Sequence, residues 1–542
     1  MDRQWFCHRN SKKYGPFSET QMRIAWEQGK LTAADPVWTT GMTSWLPAGQ
    51  VVDQFMPEPA TIGVPGLDVQ HLDLGLDRSP AHAYKPGSRT TSMELHDRIL
   101  RACFVAIAVG AAWGIRGSFG HVLGAMFPGA MLGLAFVYVT GQESLVKRMP
   151  HIAAISAAGI GLGGDISYGL LHGYAQADTF RNFAYGMFTL LLCGGAWGAY
   201  GGAMVGLLLE RDRSVAVDWV GGILATILSG GLAWVIIYKV IGFDVNPFRS
   251  NALTGFAGGL IGMFAWLVYR KRFRSIRAGL LGFMGFGLGM SLGRLLANMV
   301  RNLEPALETN HWNIMEISVG LVGGFVFTFG MLGITFPDRS SKANLSPWQA
   351  ACSIFVLALI PVFHRITRVN EDRIADWNKN LLEYGSSWTA STVVNALSFI
   401  AALGVVCSLV WLYLQWSGKD RAAWFPVLAL LLVMTLFQNI FALYYFYPGK
   451  PSFFDTNHLY WVIFLAMAGY VTWREMNEGH SDDGDPADTV EPTAWLPILG
   501  IAAAGLVIAI LGCALANGSD TMKNAETRWP LWSWRDGPFP GS

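Results

Sequence analysis

Long apolar stretches recur from Ile99 almost to the carboxyl end, and they constrain the fold more than any other feature of the sequence. A helix of roughly 20 residues crosses the ~30 Å hydrocarbon core of a bilayer. Because lipid offers the backbone no hydrogen-bond partner, each crossing stretch is predicted to be helical. The predicted spans number thirteen and cover residues 99–117, 120–140, 151–171, 183–208, 216–241, 252–269, 277–299, 315–336, 348–366, 393–416, 423–446, 458–473 and 494–516.

The low content of charged residues agrees with a lipid environment and limits the function classes. Charged residues make up 14% of the 542 residues and hydrophobic residues 52%, whereas about 25% charged residues is usual for soluble domains. The formal net charge of +1 would not attract nucleic acid, so no nucleic-acid partner is predicted. The six cysteines form no C-x-x-C pair, and we predict neither a metal site nor a cofactor.

Lysine and arginine are unequally distributed between alternate loops, which predicts the orientation in the membrane. If the amino terminus is cytoplasmic, the loops on that side hold fourteen of these residues and the opposite loops hold nine. Four of the nine lie in one long loop, and long loops translocate with little regard to charge. We therefore predict a multi-pass protein of the cell inner membrane with a cytoplasmic amino terminus.

Glycine spacing indicates an internal repeat within the first eight spans. The Gly-x-Gly-x-Gly pattern of residues 159–163 recurs at residues 285–289, and the Asp-Arg-Ser of residues 212–214 recurs at 338–340, both at a shift of 126. We predict a tandem four-helix repeat whose copies are related by an axis along the membrane normal. The predicted domains are residues 1–55, a Pro/Gly linker at 56–98, repeats at 99–214 and 215–342, a five-helix bundle at 343–516 and a tail at 517–542.

Glycines at four-residue spacing also predict close helix packing. Gly194, Gly198, Gly202 and Gly206 form one such stripe. Small residues at this spacing let two helix backbones approach, and packing then replaces the missing hydrophobic drive. Sliding contacts between two moving bundles are the alternative interpretation.

Polar and ionisable residues near one end of several spans form the candidate functional site. A charge inside a bilayer is costly, so such residues mark function by default. At similar depth on the non-cytoplasmic side lie Arg116, His121, Asp165, Tyr168, His172, Arg294, Asn298 and Glu316. We predict one polar cluster between the two repeats, with an Asp165–Arg294 ion pair that offsets the cost of burying either charge. A purely structural ion pair is the alternative, and no catalytic or metal-binding motif accompanies the cluster.

The first 55 residues carry a different pattern, rich in tryptophan. Its characteristic residues are Tyr14-Gly15-Pro16-Phe17, Met22, Trp26, Gly29, Trp38 and Gly41-Met42-Thr43-Ser44-Trp45-Leu46-Pro47. This segment resembles the GYF domain and, more closely, its bacterial variant called GYF-2.

The resemblance implies a small α+β fold whose aromatic surface docks proline-rich peptides, since a polyproline helix has little entropy left to lose. The residues carried over for that surface are Trp5, Tyr14, Gly15, Pro16, Phe17, Met22 and Trp26. Among them we expect Trp26 in the domain core and Trp5 and Tyr14 at the surface.

The predicted fold class is an all-α polytopic membrane bundle of about thirteen transmembrane helices with a small amino-terminal α+β domain. The favoured function is a membrane protein with a cytoplasmic GYF-like adaptor that transports or senses a small polar solute. One alternative is a membrane-embedded enzyme acting on a lipid-linked or envelope substrate, with His121, Asp165 or Glu316 as acid or base. The other is a scaffold that recruits proline-rich partners. The predicted partners are the lipid bilayer, a proline-rich peptide or protein and the small polar solute.

Overall fold

The computed structural model describes residues 4–9, 12–27, 31–32, 35–40, 42, 44–51, 95–164, 166, 168–176, 180–209, 219–241, 252–301, 311–332, 346–369, 371–383, 389–419, 422–445 and 456–477. The chain divides into two units, residues 1–89 and 90–542, and each has its own hydrophobic core. Most of the predicted linker, at residues 56–94, lies outside the described residues.

The amino-terminal unit has the α+β architecture that the resemblance implies. Its antiparallel sheet has four strands in the order β2-β1-β3-β4. A capping box opens helix α1, because the Gln21 amide donates to Ser18 Oγ (3.2 Å) and the Ser18 amide donates to Gln21 Oε1 (2.8 Å). The elements are β1 (Trp5–Arg9), β2 (Lys12–Phe17), α1 (Glu19–Glu27), β3 (Pro36–Thr39) and β4 (Leu46–Pro47).

Alternation along the strands separates the core of this unit from its outer face. In β1, Trp5 and Cys7 are buried while Phe6 and His8 are half-exposed, as expected for side chains that point to opposite faces of a sheet. In β3, Val37 is buried beside a half-exposed Trp38. The core consists of Trp5, Cys7, Met22, Ala25, Leu31, Val37, Ala48 and Val51.

The second unit is a bundle of apolar helices. Among the described residues, ten helices are long and apolar enough to cross a membrane. The helices are α2 (Leu95–Arg116), α3 (Val122–Thr140), α4 (Glu143–Val146), α5 (Met149–Gly163), α6 (Gly169–Tyr174), α7 (Phe180–Leu209), α8 (Trp219–Ala233), α9 (Ala252–Tyr269), α10 (Phe273–Arg301), α11 (His311–Met331), α12 (Pro347–Ile354), α13 (Ile360–Arg368), α14 (Glu371–Glu383), α15 (Ala390–Trp416), α16 (Trp424–Tyr445) and α17 (Thr456–Asn477).

The number of spans differs from the thirteen predicted for three reasons. Helix α5 is apolar but has only 15 residues. The span predicted at 458–473 lies within α17, which is not among the ten helices. The span predicted at 494–516 lies outside the described residues. The full count therefore stays a prediction.

Six helices close into a ring in the order α2, α3, α5, α7, α10 and α11, with α11 packed against α2. Glycines bring the ring backbones together. A Cβ atom on Gly198 of α7 would lie 2.1 Å from the carbonyl oxygen of Gly282 in α10, so only glycine fits at this crossing. The close packing predicted from glycine spacing is present between α7 and α10.

At one end of the ring, arginine side chains donate to backbone carbonyl oxygens in the last turns of α3, α7 and α11. Carbonyls in the last turn of a helix lack the usual amide partner one turn further on, and they carry the negative end of the helix dipole; the Tyr138 carbonyl also accepts from the Gly141 amide at 3.3 Å. The contacts are Arg101 to Val139 (2.7 Å), Arg474 to Tyr138 (3.1 Å), Arg148 to Leu208 (2.7 Å), Arg98 to Phe329 (2.8 Å) and Arg277 to Gly330 (2.9 Å). We call this part of the bundle the arginine end.

Helices α8 and α9 pair with each other, and α9 also contacts α7 and α10 of the ring. Val220, Ile227 and Leu228 of α8 are exposed, as is usual for a helix that faces lipid. The predicted repeat equates α8 and α9 with α2 and α3, which belong to the ring. The tandem repeat stays a prediction.

Candidate functional site

A group of three polar side chains, two of them buried and Glu316 partly buried, lies at the end of the ring opposite the arginine end. Arg116, the last residue of α2, is 1% exposed, and its Nη2 lies 3.1 Å from Glu316 Oε1 of α11. The Tyr168 hydroxyl donates to the same Glu316 oxygen at 3.1 Å and accepts from Arg116 Nη2. These three residues, together with the groups around them described below, form the polar cluster.

Aromatic rings surround the Arg116 guanidinium. Its central carbon lies 5.2 Å from the ring centre of Trp197, 5.5 Å from that of Tyr168 and 5.7 Å from that of Trp113. A cation this close to an aromatic ring is attracted by the electron-rich ring face. The charge of Arg116 is therefore stabilised by one carboxylate and by ring faces.

Gly117 allows the Glu316 carboxylate to approach the end of α2. A Cβ atom at Gly117 would lie 1.9 Å from Glu316 Oε2. Any side chain at this position would displace the carboxylate and lengthen its contacts with Arg116 and Tyr168.

His172 in the short helix α6 extends the cluster. Its ring packs edge-on against Tyr168 and Trp312, with both centroid distances 5.2 Å. The side chain is buried, and neither ring nitrogen has a hydrogen-bond partner among the described residues. A neutral imidazole has one ring nitrogen that donates and one that accepts.

Arg294 of α10 lies against Trp312, and Asn298 lies beside Arg294. The Arg294 guanidinium carbon is 5.6 Å from the Trp312 ring centre, and Arg294 Nε donates to Asn298 Oδ1 at 2.7 Å. Asn298 Nδ2 donates to the Ala175 carbonyl oxygen at 3.3 Å. When the Gln176 amide is oriented with its oxygen toward Arg294, it accepts from Nη1 at 3.1 Å.

Most of the residues predicted for the site lie together. Arg116, Tyr168 and Glu316 are in direct contact, and the His121 ring centre is 5.2 Å from that of Tyr168. Arg294 and Asn298 join them through Trp312 and His172. Asp165 lies outside the described residues, so its ion pair with Arg294 stays a prediction.

The sequence interpretation missed the tryptophans of the cluster. Trp113 precedes Arg116 by three residues and Trp312 precedes Glu316 by four, and both spacings place two side chains on the same helix face. That spacing could have identified them. Trp197 has no such signal and is brought in by the packing of α7.

Below the polar cluster, buried aromatic side chains of the ring helices pack against one another. Ring centres lie 5.5 Å apart for Trp113 and Trp197, and 5.1 Å apart for Trp113 and Phe286. Phe136 and Phe327 follow at 5.5 Å. In the described part of the ring, these apolar groups lie on helix segments between the polar cluster and the arginine end.

The residues carried over for peptide binding in the amino-terminal unit have different exposures. Trp5 is 0% exposed, so the expectation that it lies at the surface is wrong. Trp5 and Cys7 are two residues apart in β1, so their side chains lie on the same face of the sheet, which here is the face toward the core. The large Trp5 side chain fills much of this small core. Met22 is also buried, whereas Gly15 and Pro16 are exposed.

Three of the carried-over residues remain partly accessible. Tyr14 is half-buried, as expected for a residue with a surface role, and Phe17 and Trp26 are half-buried against the core. Trp26 thus has both core contacts and an accessible part.

The outer face of the sheet carries aromatic residues that the sequence interpretation did not assign. The ring centres of Trp38 and Trp45 are 6.4 Å apart, and those of Phe6 and Trp38 are 5.9 Å apart. Lys13 Nζ lies 4.0 Å from the Phe6 ring centre. We call Phe6, Trp38 and Trp45 the outer aromatic face.

In the described ranges, no group of three or more His, Cys, Asp or Glu side chains could hold a metal ion. The family model described as GYF domain 2 matches residues 5–53. No curated protein and no solved structure matches the chain. Residues 5–53 therefore form a GYF-like domain at the amino end of a membrane protein.

Proposed function

We propose that this protein senses a small polar solute at the polar cluster and recruits a proline-rich partner through its GYF-like domain. The main support for a solute site is that the imidazole of His172 is buried and that neither of its nitrogens has a partner among the described residues. It lies beside Tyr168, which contacts the buried pair of Arg116 and Glu316.

The energetic cost of this arrangement supports a ligand-binding role. An unsatisfied buried polar group costs about 1–3 kcal/mol, and a buried ion pair seldom repays its desolvation. A solute that offers both a donor and an acceptor would satisfy the two nitrogens of His172. The Trp312 and Tyr168 rings on either side would hold its apolar surface.

Sensing is favoured over passage across the membrane by the aromatic interior of the ring. Trp113, Trp197 and Phe286 pack against one another below the cluster. A polar solute that passed between them would lose its hydration without replacement. Transport would require these rings to separate.

The proposal includes an orientation of the protein in the membrane, with the amino terminus in the cytoplasm. The arginine end agrees with the rule that cytoplasmic loops are rich in Lys and Arg, and it includes the start of α2, which follows the amino-terminal unit in the chain. The GYF-like domain then lies in the cytoplasm of a cell with an inner membrane, and the polar cluster lies toward the opposite side. We also propose that the chain crosses the membrane thirteen times and that its first eight spans form a tandem repeat.

The solute site is tested on the full chain in detergent by melting it with separate panels of amino acids, sugars, carboxylates and inorganic phosphate. Unfolding is followed by the emission of all 22 tryptophans, so the comparison with a His172 variant is what assigns a shift to the site. We expect one solute class to raise the melting temperature of the wild type. His172→Phe keeps the ring contacts and removes both nitrogens, so it should abolish this shift.

His458→Phe is the matched control, because His458 is exposed at the start of α17. It should respond to the solute as the wild type does. If no panel shifts the wild type and His172→Phe lowers the melting temperature, His172 is a structural residue. The scaffold interpretation would then replace the solute site.

Peptide recruitment is tested by the binding of a fluorescent proline-rich peptide to the full chain in nanodiscs. Tyr14→Ala should weaken binding about tenfold, the effect of losing one aromatic contact of about 1.4 kcal/mol. Trp45→Ala changes an exposed ring of the outer aromatic face and should leave the affinity unchanged. The reverse pattern would move the peptide site to that face.

An enzyme remains the second candidate because two titratable groups lie within hydrogen-bond reach. The Tyr168 hydroxyl is 3.1 Å from Glu316 Oε1, a distance at which a proton can pass between these two groups when one of them acts as an acid or a base. Conversion of a lipid-linked substrate by the wild type, and its loss in Glu316→Gln, would favour this function over sensing.

A further inference from the structure

Two arginines flank the last turn of α11 at the arginine end. Arg98 of α2 donates to the Phe329 carbonyl oxygen from Nε (2.8 Å) and from Nη2 (2.5 Å). Arg277 of α10 donates to the carbonyl oxygen of the next residue, Gly330, at 2.9 Å. The two guanidiniums therefore share one helix end, although they come from different helices.

Neither guanidinium forms an ion pair with a carboxylate in the described part of the chain. Asp97, the sequence neighbour of Arg98, pairs with Arg101 at 2.9 Å. The α11 carboxyl end offers only about half of a negative charge. Two half-buried cations at one helix end thus retain positive charge that an anion would neutralise.

The guanidinium of Arg277 also has a donor that makes no hydrogen bond with the described residues. Arg277 Nε is buried and has no hydrogen-bond partner among the described residues. A planar guanidinium presents adjacent N–H groups that match two oxygens of one phosphate. Within the described ranges, Arg277 Nε is thus a donor without an acceptor, beside the Nη2 that binds Gly330.

The surroundings are those of a lipid headgroup rather than of a dissolved ion. The four basic residues Arg270, Lys271, Arg272 and Arg274 precede this site in the loop and at the start of α10. Basic clusters next to a membrane helix attract anionic lipids. Leu95, one turn before Arg98, and Phe273, one turn before Arg277, are exposed apolar side chains that acyl chains could cover.

We propose that Arg98 and Arg277 bind the phosphate group of an anionic phospholipid at the carboxyl end of α11. The phosphate oxygens accept from the remaining N–H groups of the two guanidiniums, while the acyl chains lie against the exposed apolar residues of α2 and α10. The lipid thereby joins three helices of the ring at their arginine end.

Native mass spectrometry of the full chain in neutral detergent tests this site with phosphatidylglycerol and phosphatidylcholine, with excess inorganic phosphate as competitor. The wild type should retain phosphatidylglycerol preferentially, and inorganic phosphate should not displace it. Arg277→Gln should lower the affinity for phosphatidylglycerol about fivefold, the loss expected for one basic residue at an anionic surface.

Lys271→Asn is the matched control, because it removes an exposed positive charge from the same loop and asparagine tolerates the left-handed backbone at this position (φ 54°). It should keep the affinity within about twofold, less than the loss for a contacting arginine. If Arg277→Gln does not fold, Arg277→Lys is measured instead. It keeps the positive charge but loses the planar guanidinium, so it should still weaken lipid binding.

Three results would overturn the proposal. They are equal retention of the two lipids, equal losses in Lys271→Asn and in the Arg277 variant, and displacement of the lipid by inorganic phosphate. The last result would assign the two arginines to a soluble phosphate instead.

Discussion

Breaking the Arg116–Glu316 pair tests the central contact of the polar cluster. The Nη2 and Oε1 atoms are 3.1 Å apart, and Arg116 is 1% exposed. At an effective dielectric constant of about 20, two charges at this distance attract by about 5 kcal/mol. Glu316→Gln leaves the guanidinium buried without its carboxylate and should lower the free energy of unfolding by about 3–5 kcal/mol.

A double-mutant cycle separates the pair from the side chains themselves. Arg116→Gln, Glu316→Gln and the double variant are unfolded by titration with a denaturing detergent, and the free energies are compared. We expect the double variant to lose less than the sum of the single losses, with a coupling energy of about 2–3 kcal/mol. The amides of the double variant carry no charge, so no ion remains buried alone.

The chain supplies a matched control cycle in α14. Lys379 and Glu383 form an exposed pair whose atoms are 4.0 Å apart, and such pairs couple by less than about 1 kcal/mol. Additive losses in both cycles would refute the reasoning. They would mean that Arg116 and Glu316 do not interact as charges in the folded protein.

Three further predictions concern packing and capping. Gly198→Ala should destabilise the bundle by at least about 1–3 kcal/mol, because its Cβ would lie 2.1 Å from Gly282 O; Gly231→Ala, with nothing within 4 Å, should be neutral or stabilising in the same unfolding titration. Trp5→Ala should cost about 3–5 kcal/mol and unfold the GYF-like domain, since its side chain is fully buried; limited proteolysis should then cut within residues 5–53, whereas Trp45→Ala should remain resistant. Ser346→Ala removes the capping box with Gln349 and should cost about 1 kcal/mol in the unfolding titration.

The sequence predicts where ten of the apolar helices lie, because lipid forces every spanning segment into one conformation. A helix rises 1.5 Å per residue, so the place of Arg116 and Glu316 near the ends of their segments indicates a shared depth. Contact between them depends on which helices are neighbours in the ring. Hydropathy carries no information on that order.

Besides the order of the helices in the ring, the direction in which individual side chains point was predicted poorly from the sequence. Trp5 was assigned to the wrong face of the sheet. Side chains alternate between the two faces along a strand, so an assignment that is off by one residue exchanges the faces. The alternation of Trp5 and Cys7 with Phe6 and His8 could have been used for this purpose. For His172, by contrast, nothing in the neighbouring sequence indicates that both nitrogens are buried without partners among the described residues.

The packing of α2 against α11 has a consequence for biogenesis. Arg116 and Glu316 are 200 positions apart in the chain, and four other ring helices lie between α2 and α11 in the order of synthesis. During translation, α2 is made long before the helix that completes its surroundings. Until α11 arrives, the Arg116 guanidinium lacks the Glu316 carboxylate, so we expect ribosome-stalled intermediates that end before residue 311 to remain bound to the insertion machinery or to a chaperone.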